Sequence, residues 1–303
     1  MNTVSEVFGH PLPSPNKEVF MGLELEVEGW DEFARVPDRF LDTWNIIPDH
    51  SLRNNGIEFV HKAPLRGEEL SVSVDALSEV LSTFSNLSLS HRCSLHCHID
   101  CRDMTVVQIE SLYRIYTMLE PALYYVGVKD RYDNIYCPGL SHATEQVKQS
   151  GVCFASRDMH RFIRHGCKYT GFNFLPLAEQ GSVEIRTHSG TLNGQDVVNW
   201  VDILQGITTF AKTQTLDDVK FLSTLLPDEV IDIVFHGYER AGNLLRCPAL
   251  YDYWENAKLN ILYLDLIDEM LLEYVDPPPE GVEEVDTEYL STMIMENAAA
   301  LGG

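Results

Sequence analysis

The stretch FMGLELEVE, residues 20–28, alternates apolar and acidic side chains. The apolar set and the acidic set each recur at every second residue. They are Leu23, Leu25 and Val27 on one side, and Glu24, Glu26 and Glu28 on the other. Because successive side chains of a β-strand point to opposite faces, this stretch predicts a strand with one buried face and one acidic face.

Three later segments repeat this arrangement, with ionisable side chains on one face and apolar side chains on the other. They are residues 57–61 with Glu58, residues 93–101 with Ser94, His96, His98 and Asp100, and residues 182–188 with Glu184, Arg186 and His188. Each segment predicts a half-buried strand. If the four strands belong to one sheet, their polar faces converge on one site.

Helical patterns separate and follow these strands. Apolar side chains recur at helical spacing over residues 67–84, and a second helix is predicted over residues 105–126. Residues 128–180 are rich in turn formers and short segments, whereas residues 193–275 are helical in pattern. Strands that alternate with helices, followed by helices alone, predict an α+β fold with an antiparallel or mixed sheet.

The length of 303 residues is enough for one large domain with a substantial core. We predict an N-terminal lead over residues 1–19, a single domain over residues 20–275 with 193–275 mainly helical, and an acidic, mobile tail over residues 276–303. The tail begins with the run DPPP, and the chain contains no Lys or Arg after Lys258.

Composition excludes several classes of protein. The chain has 22 Lys and Arg against 46 Asp and Glu, a net charge of −24, so duplex nucleic acid is not an expected partner. No apolar run reaches the roughly 18 residues of a membrane span, and the N-terminus lacks the pattern of a targeting signal. Seven cysteines without a CxxC pair suit a reducing compartment. We therefore expect a cytoplasmic protein without a membrane partner, and the oligomeric state stays open.

The four converging polar faces predict a metal site. Enclosed carboxylates repel one another and lose hydration, which raises their pKa values unless cations neutralise them. Carboxylate and imidazole ligands suit Mg²⁺ or Mn²⁺, and such ions clamp phosphate oxygens. A solvated outer face explains any single Glu-x-Glu, but four coincident polar faces favour the metal site.

Cationic side chains indicate where an anion could bind. Arg186 shares a predicted strand face with Glu184, where its guanidinium could fork onto a phosphoryl group or form a surface ion pair. A basic island in this acidic chain suits a nucleotide polyphosphate. The island consists of Arg157, Arg161, Arg164 and Lys168. The helical spacing of its arginines describes a solvated helix face equally well.

Four motifs in this order resemble the amidoligase family. They are GLELE at residues 22–26, DHSL with GIE at residues 49–58, SLHCHID at residues 94–100, and EIRTHSGTL at residues 184–192. The resemblance covers about residues 20–210. The family belongs to the carboxylate–amine ligase superfamily, together with glutamine synthetase and glutamate–cysteine ligase.

The resemblance implies a curved, largely antiparallel sheet that forms a funnel-shaped active site, as in the glutamine synthetase catalytic domain. It also implies ATP-dependent joining of a carboxylate to an amine through an acyl-phosphate, with Mg²⁺ or Mn²⁺ as cofactor. The expected partners are small-molecule or peptide carboxylates and amines.

Carried over by position, the resemblance assigns roles to individual residues. The implied metal ligands are Glu24, Glu26, Glu58, His98 and Glu184. The predicted nucleotide-binding residues come from two sources. The resemblance supplies His96, Asn173 and Arg186, and the basic island supplies Arg157, Arg161 and Lys168. Arg186 is also the predicted catalytic cation, while Glu28, Asp49 or a substrate group would accept the proton of the amine. Glutamine synthetase has the order Arg-x-Glu, so which of Glu184 and Arg186 lies nearer the metal stays open.

Two other functions fit parts of the pattern. A metal-dependent hydrolase could use His96, His98 and Asp100 around Zn²⁺ or Mn²⁺. A non-catalytic binding module could keep the sheet and use its helices and acidic tail to dock a partner. Dependence on nucleotide separates the ligase from the hydrolase, and binding of Mg²⁺–ATP separates the ligase from the scaffold.

Overall fold

The computed structural model describes residues 1–13, 19–31, 33, 35–127, 137–140, 144–166 and 168–273. The predicted tail over residues 276–303 therefore lies outside the described residues, as do Cys167 and the end of the predicted lead at residues 14–18. The other six cysteines are buried free thiols.

Six described strands form one antiparallel sheet in the order β2-β3-β1-β4-β6-β5. They are β1 (Met21–Val27), β2 (Trp44–Pro48), β3 (Ile57–His61), β4 (Ser94–Asp100), β5 (Phe172–Asn173) and β6 (Ser182–Ser189). The sheet does not close, because β2 and β5 are its edges. The predicted α+β class is confirmed, with the antiparallel alternative for the sheet.

The described helices alternate with the strands in the first two thirds of the chain, and from α8 onward the described chain contains helices alone. They are α1 (Val4–Phe8), α2 (Asp38–Thr43), α3 (Gly67–Thr83), α4 (Val106–Val126), α5 (Thr144–Ala155), α6 (Met159–His165), α7 (Pro176–Glu179), α8 (Gly194–Thr213), α9 (Leu216–Leu222), α10 (Pro227–Val234), α11 (Glu239–Leu245), α12 (Pro248–Asp252) and α13 (Trp254–Glu273). α3, α4 and the helical region from α8 onward follow the sequence pattern. In contrast, α5 and α6 occupy a region where turn formers predict short segments.

The core lies on the apolar face of the sheet. Leu25, Leu95 and Ile185 belong to a buried cluster that extends into helices α3, α4 and α8. α4 is buried along almost its whole length, and a capping box between Thr105 and Gln108 fixes its start. Because helices cover one face of β1, β4 and β6, the acidic side chains of β1, the histidines of β4 and Glu184 of β6 lie on the opposite face. None of the helices in the described part of the chain is long and apolar enough to cross a membrane.

The N-terminal segment contributes to this packing. Thr3 and Glu6 form a capping box that starts α1, and the side chain of Val4 is fully buried. The backbone N–H of Val4 donates to the carbonyl of Met104, 2.9 Å away. Residues 4–8 are therefore an ordered part of the fold, although they fall within the predicted lead.

A β-bulge changes the predicted phase of β6. The register shifts opposite Leu95 and Cys97, where His188 pairs with Leu95 and Ile185 pairs with Cys97. His188 is buried, and its ring packs against Trp200 of α8, with ring centroids 5.0 Å apart. The prediction that His188 shares the polar face of Glu184 is therefore wrong, because the bulge breaks the alternation after Arg186.

Candidate active site

The register of the sheet brings four of the predicted polar faces together. Glu24 of β1 lies opposite His96 of β4, and Glu26 of β1 lies opposite Glu58 of β3. One row further along, His98 of β4 pairs with Glu184 of β6. Side chains at paired positions lie on the same face of a sheet, so residues remote in sequence meet at its centre.

Glu24 contacts both histidines of β4. Its Oε2 is 3.5 Å from Nδ1 of His96, and its Oε1 is 3.3 Å from Nε2 of His98. Nδ1 of His96 is also 3.4 Å from Oε1 of Glu184. His96 is buried, whereas the side chain of Glu24 is 23% exposed, so the cluster opens to solvent on the side of Glu24.

Two groups of three residues have the geometry to hold a cation. One is Glu24, Glu58 and His96, and the other is Glu24, His98 and Glu184. In each group, one ligand atom from every residue lies within 4.8 Å of the other two. Glu24 belongs to both groups and links them into one site.

Second partners hold Glu184 and His98 in place. Nδ2 of Asn173 donates to Oε2 of Glu184 at 2.6 Å, and an N–H of Arg186 donates to Oε1 of the same carboxylate. Nδ1 of His98 lies 3.2 Å from Oγ of Ser182. Arg186 is held at its backbone as well, because its N–H donates to the carbonyl of Gly171 at 2.9 Å. Such outer contacts fix the orientation of ligand side chains.

Burial and mutual contacts shift the pKa values of the clustered side chains. Burial raises the pKa of Glu58 to about 8, and the charges of Glu24, Glu26 and Asp49 add to this effect. Burial also opposes ionisation of Glu24, but hydrogen bonding to His96 and His98 outweighs it and holds the pKa of Glu24 below its ordinary value. Burial lowers the pKa of His98, yet its contact with Glu24 raises that pKa overall.

The remaining acidic candidates extend the site toward the end of β1. Glu26 accepts a hydrogen bond of 2.6 Å from Ser94 and lies outside both three-residue groups. Glu28 is buried, and its Oε1 accepts from the backbone N–H of Arg53 at 3.0 Å and from Oγ of Ser90 at 2.9 Å. Asp49 caps its own turn by accepting from the N–H of Ser51 at 2.8 Å.

The basic island is not brought into the cluster. Arg157 forms an ion pair with the fully buried carboxylate of Glu110 in α4, while Arg161 lies 3.9 Å from Asp158. Lys168 lies over the ring of Tyr169, with Nζ 5.1 Å from the ring centroid. The described contacts of these three cations are thus with neighbours other than Glu24 and the residues around it.

Asp100 shares the polar face of β4 but is occupied by another residue. Its two oxygens accept from Nε and Nη2 of Arg102, at 2.9 and 2.8 Å. This bidentate pair neutralises the carboxylate. The two histidines of β4 therefore lie beside Glu24 and Glu184 rather than beside a free Asp100. This arrangement differs from the His96, His98 and Asp100 site of the hydrolase alternative.

The comparison with protein families fits this geometry. A family model described as "putative amidoligase enzyme" matches residues 32–208, more than half of the chain. The chain belongs to this amidoligase family. The matched region of the amidoligase contains Glu58, His96, His98, Glu184 and Arg186, while Glu24 precedes it. No curated protein shows significant sequence similarity to the chain.

Two residues beside the cation-binding groups, Ser182 and Gly22, receive no role from the sequence motifs. Ser182 lies in phase with Glu184 on β6 and contacts His98, so a period of two along residues 182–186 carries the signal for it. Gly22 lies in phase with Glu24 on β1, and its contribution becomes visible only from the space that it leaves open.

Proposed function

We propose that this amidoligase is an ATP-dependent ligase that joins a carboxylate to an amine, with Mg²⁺ or Mn²⁺ as its cofactor. The observation that carries the proposal is the pair of carboxylate–histidine groups that share Glu24, with Arg186 bound to a member of one of them. This arrangement combines hard cation ligands with a guanidinium, which is what transfer of a phosphoryl group requires.

The residues present fit a divalent cation. Each group supplies two carboxylates and one imidazole, a donor set suited to Mg²⁺ or Mn²⁺. Among the residues that the structure describes, the buried Nε2 of His96 has no hydrogen-bond partner. Burial and the neighbouring carboxylates Glu24, Glu26 and Asp49 raise the pKa of Glu58, an effect that a bound cation would offset. When bound, the cation would neutralise phosphate oxygens and orient the γ-phosphate of ATP.

The proposed reaction has two steps. In the first, an oxygen of the substrate carboxylate attacks the γ-phosphorus, the bond between that phosphorus and the β–γ bridging oxygen breaks, and ADP leaves. The product is an acyl-phosphate. In the second step, the amine nitrogen attacks the acyl carbon, the bond from carbon to the phosphate oxygen breaks, and inorganic phosphate leaves as the amide forms.

The chain's own residues would orient the reactants and manage charge and protons. Arg186 would donate to the transferring phosphoryl group. Its guanidinium is held by the ion pair with Glu184, and its backbone N–H is bonded to the carbonyl of Gly171. Glu28 and Asp49 are the proposed acceptors of the amine proton. Each has one oxygen engaged with a neighbouring backbone N–H, which holds the carboxylate in position.

The observed contacts support some of the proposed nucleotide-binding residues better than others. His96 belongs to one of the cation-binding groups, and Asn173 is bonded to Glu184 of the other. Lys168 lies close in sequence to Gly171, whose carbonyl binds the backbone of Arg186. Arg157 and Arg161 are already paired with carboxylates, so they are the least supported of the set.

A screen for ADP release tests the proposal. Pools of carboxylates and amines are incubated with the full chain, ATP and Mg²⁺, and condensed products are identified by mass analysis. The expected result is ADP release that needs both substrates and the cation. Turnover without nucleotide would instead support a hydrolase, and absence of saturable binding of Mg²⁺–ATP would refute the ligase.

A further inference from the structure

A cavity of about 300 Å³ adjoins the cation-binding groups. It lies where β3 ends and β6 begins, and two residues of one cation group, Glu24 and His98, form part of its wall. The rest of the wall includes Gly22, Lys62, Arg102 and Ser182. A molecule in this cavity therefore lies next to the site at which the γ-phosphate would be held.

Gly22 forms part of the wall of the cavity. It lies on the polar face of β1, opposite His98 and two residues before Glu24. A Cβ built at this position would be 3.6 Å from Cβ of His98, an ordinary van der Waals contact. The backbone therefore does not require glycine here, and the missing side chain instead leaves space above the strand.

Of the positively charged side chains in the wall, Lys62 is the one without a carboxylate partner among the described residues. Arg102 is fixed by Asp100 and by the carbonyl of Pro11, whose oxygen is 3.2 Å from Nη1 of Arg102. His98 is balanced by Glu24. Lys62 donates to the carbonyl of Leu41 and, among the residues that the structure describes, forms no ion pair with a carboxylate. Lys62 is exposed to solvent and lines the cavity, and it carries a positive charge in a chain whose net charge is −24.

We propose that this cavity, the Gly22 pocket, binds the carboxylate substrate, and that Lys62 binds a second anionic group of that substrate. The inference rests on the proposed function, because the reacting carboxylate would face Glu24, His98 and their cation. The substrate class is accordingly a small dicarboxylate or a molecule with a dicarboxylate end. A Lys ammonium is a suitable partner for the second carboxylate because charge-assisted hydrogen bonds are stronger than neutral ones.

The size of the Gly22 pocket supports a small substrate. Its volume of about 300 Å³ lies at the lower end of the range of about 300–1,000 Å³ found for small-molecule sites. Gly22 contributes to this volume, because a side chain at this position would occupy part of the pocket. We infer that Lys62 selects the charge of the substrate and that Gly22 selects its size.

Calorimetric titration of the full chain tests this inference. The protein is held with Mg²⁺ and the non-hydrolysable nucleotide AMP-PNP, and it is titrated with malonate, succinate, glutarate and adipate. Acetate is the monocarboxylate control, and putrescine, a diamine, is the control with the opposite charge. At least one dicarboxylate is expected to bind at least about tenfold more tightly than acetate, which is the effect of one charge-assisted contact.

Three variants assign that binding to the pocket. Lys62→Gln is expected to lower dicarboxylate affinity by about tenfold, while Lys258→Gln, on the remote helix α13, leaves it unchanged. Gly22→Ala is expected to shift preference toward shorter dicarboxylates without altering the thermal transition. Unchanged affinity in Lys62→Gln, preference for putrescine, or no binding by any dicarboxylate would each overturn the inference.

The same titration separates this inference from the proposed function. Binding of Mg²⁺–AMP-PNP without dicarboxylate binding would refute the inference about the Gly22 pocket and leave the proposed ligase function standing. Failure of Mg²⁺–AMP-PNP to bind would sink the ligase, even if Lys62 still selected dicarboxylates.

Discussion

Glu24 and His96 lie directly opposite each other on β1 and β4, with Oε2 and Nδ1 3.5 Å apart. The other oxygen of Glu24 reaches His98, so one carboxylate contacts both histidines of β4. The two groups that could hold a cation therefore depend on the same side chain.

Replacing Glu24 by Gln is expected to lower ADP release by at least about a hundredfold, because both cation groups lose a charged ligand. The side chain lies on the polar face of the sheet, away from the core, so the thermal transition should stay near that of the parent protein. Glu79→Gln, on the exposed face of α3 where Glu79 pairs with Arg39, is the matched control. An active Glu24→Gln enzyme would refute the cation assignment.

Replacing Arg186 by Lys keeps the positive charge but removes the fork of the guanidinium. We expect kcat for ADP release to fall by at least about tenfold, since the planar donor pair orients a phosphoryl group in a way that an ammonium does not. Mg²⁺ affinity, measured by titration, should change much less. Arg161→Lys is the matched variant in the basic island. If it lowered ATP affinity more than Arg186→Lys does, the basic island would be the nucleotide-binding site instead.

Binding of Mg²⁺ is expected to release protons near neutral pH. The pKa of Glu58 is about 8 in the cation-free protein, so this carboxyl is mostly protonated at pH 7 and must ionise to become a ligand. Affinity should therefore rise with pH up to about 8 and then level off. Calorimetry in two buffers of different ionisation enthalpy measures the protons released.

Glu58→Gln offers the control for that titration. The variant should bind the cation more weakly and with little proton release near pH 7. Equal proton release by the variant and the parent protein would show that another group titrates.

Stability is expected to fall in mild acid because of His61. Burial lowers the pKa of His61 to about 3, while its Nδ1 accepts from the N–H of Leu23 and its Nε2 lies 2.9 Å from Oγ of Ser73. The folded state holds the ring neutral, whereas the unfolded chain protonates it near its ordinary pKa. The contribution is therefore complete above about pH 6.5 and is lost as pH falls toward 3, by up to about 1.4 kcal/mol per pH unit.

Urea denaturation at pH 7 and pH 5 measures this effect. His61→Gln should be less stable than the parent protein at pH 7, but its free energy of unfolding should change less between the two pH values. An equal change in both proteins would place the acid sensitivity elsewhere, among the carboxylates.

The parts of the fold that sequence predicts are those with a clear period. The alternation in residues 20–28 and 94–100 identifies β1 and β4, and helical spacing identifies α3 and α4. β2 and β5 are missed for a physical reason. β2 packs its only buried residue, Trp44, against His61, and β5 is two residues long, so neither provides an alternation to detect.

The residues of the candidate site are also predicted where a strand has a clear period, whereas contacts between distant segments are not predicted. Glu24, Glu58, His96 and Glu184 are predicted from their phase on separate strands, and the sheet brings them together. The partners of Arg157 and Asp100 are not visible in the sequence, because Glu110 lies on a remote helix and the Arg102 contact requires a folded turn. His188 is mispredicted because the β-bulge is not encoded by the period itself.

The edges of the sheet have a consequence for behaviour at high concentration. β5 offers only two residues of backbone, and β2 ends at Pro48, which has no N–H to donate. Long, flat outer strands recruit strands from other molecules, whereas short ones interrupted by proline do so poorly. Intermolecular strand addition, the usual route from an open sheet to fibrous aggregates, is therefore disfavoured at both ends of this one.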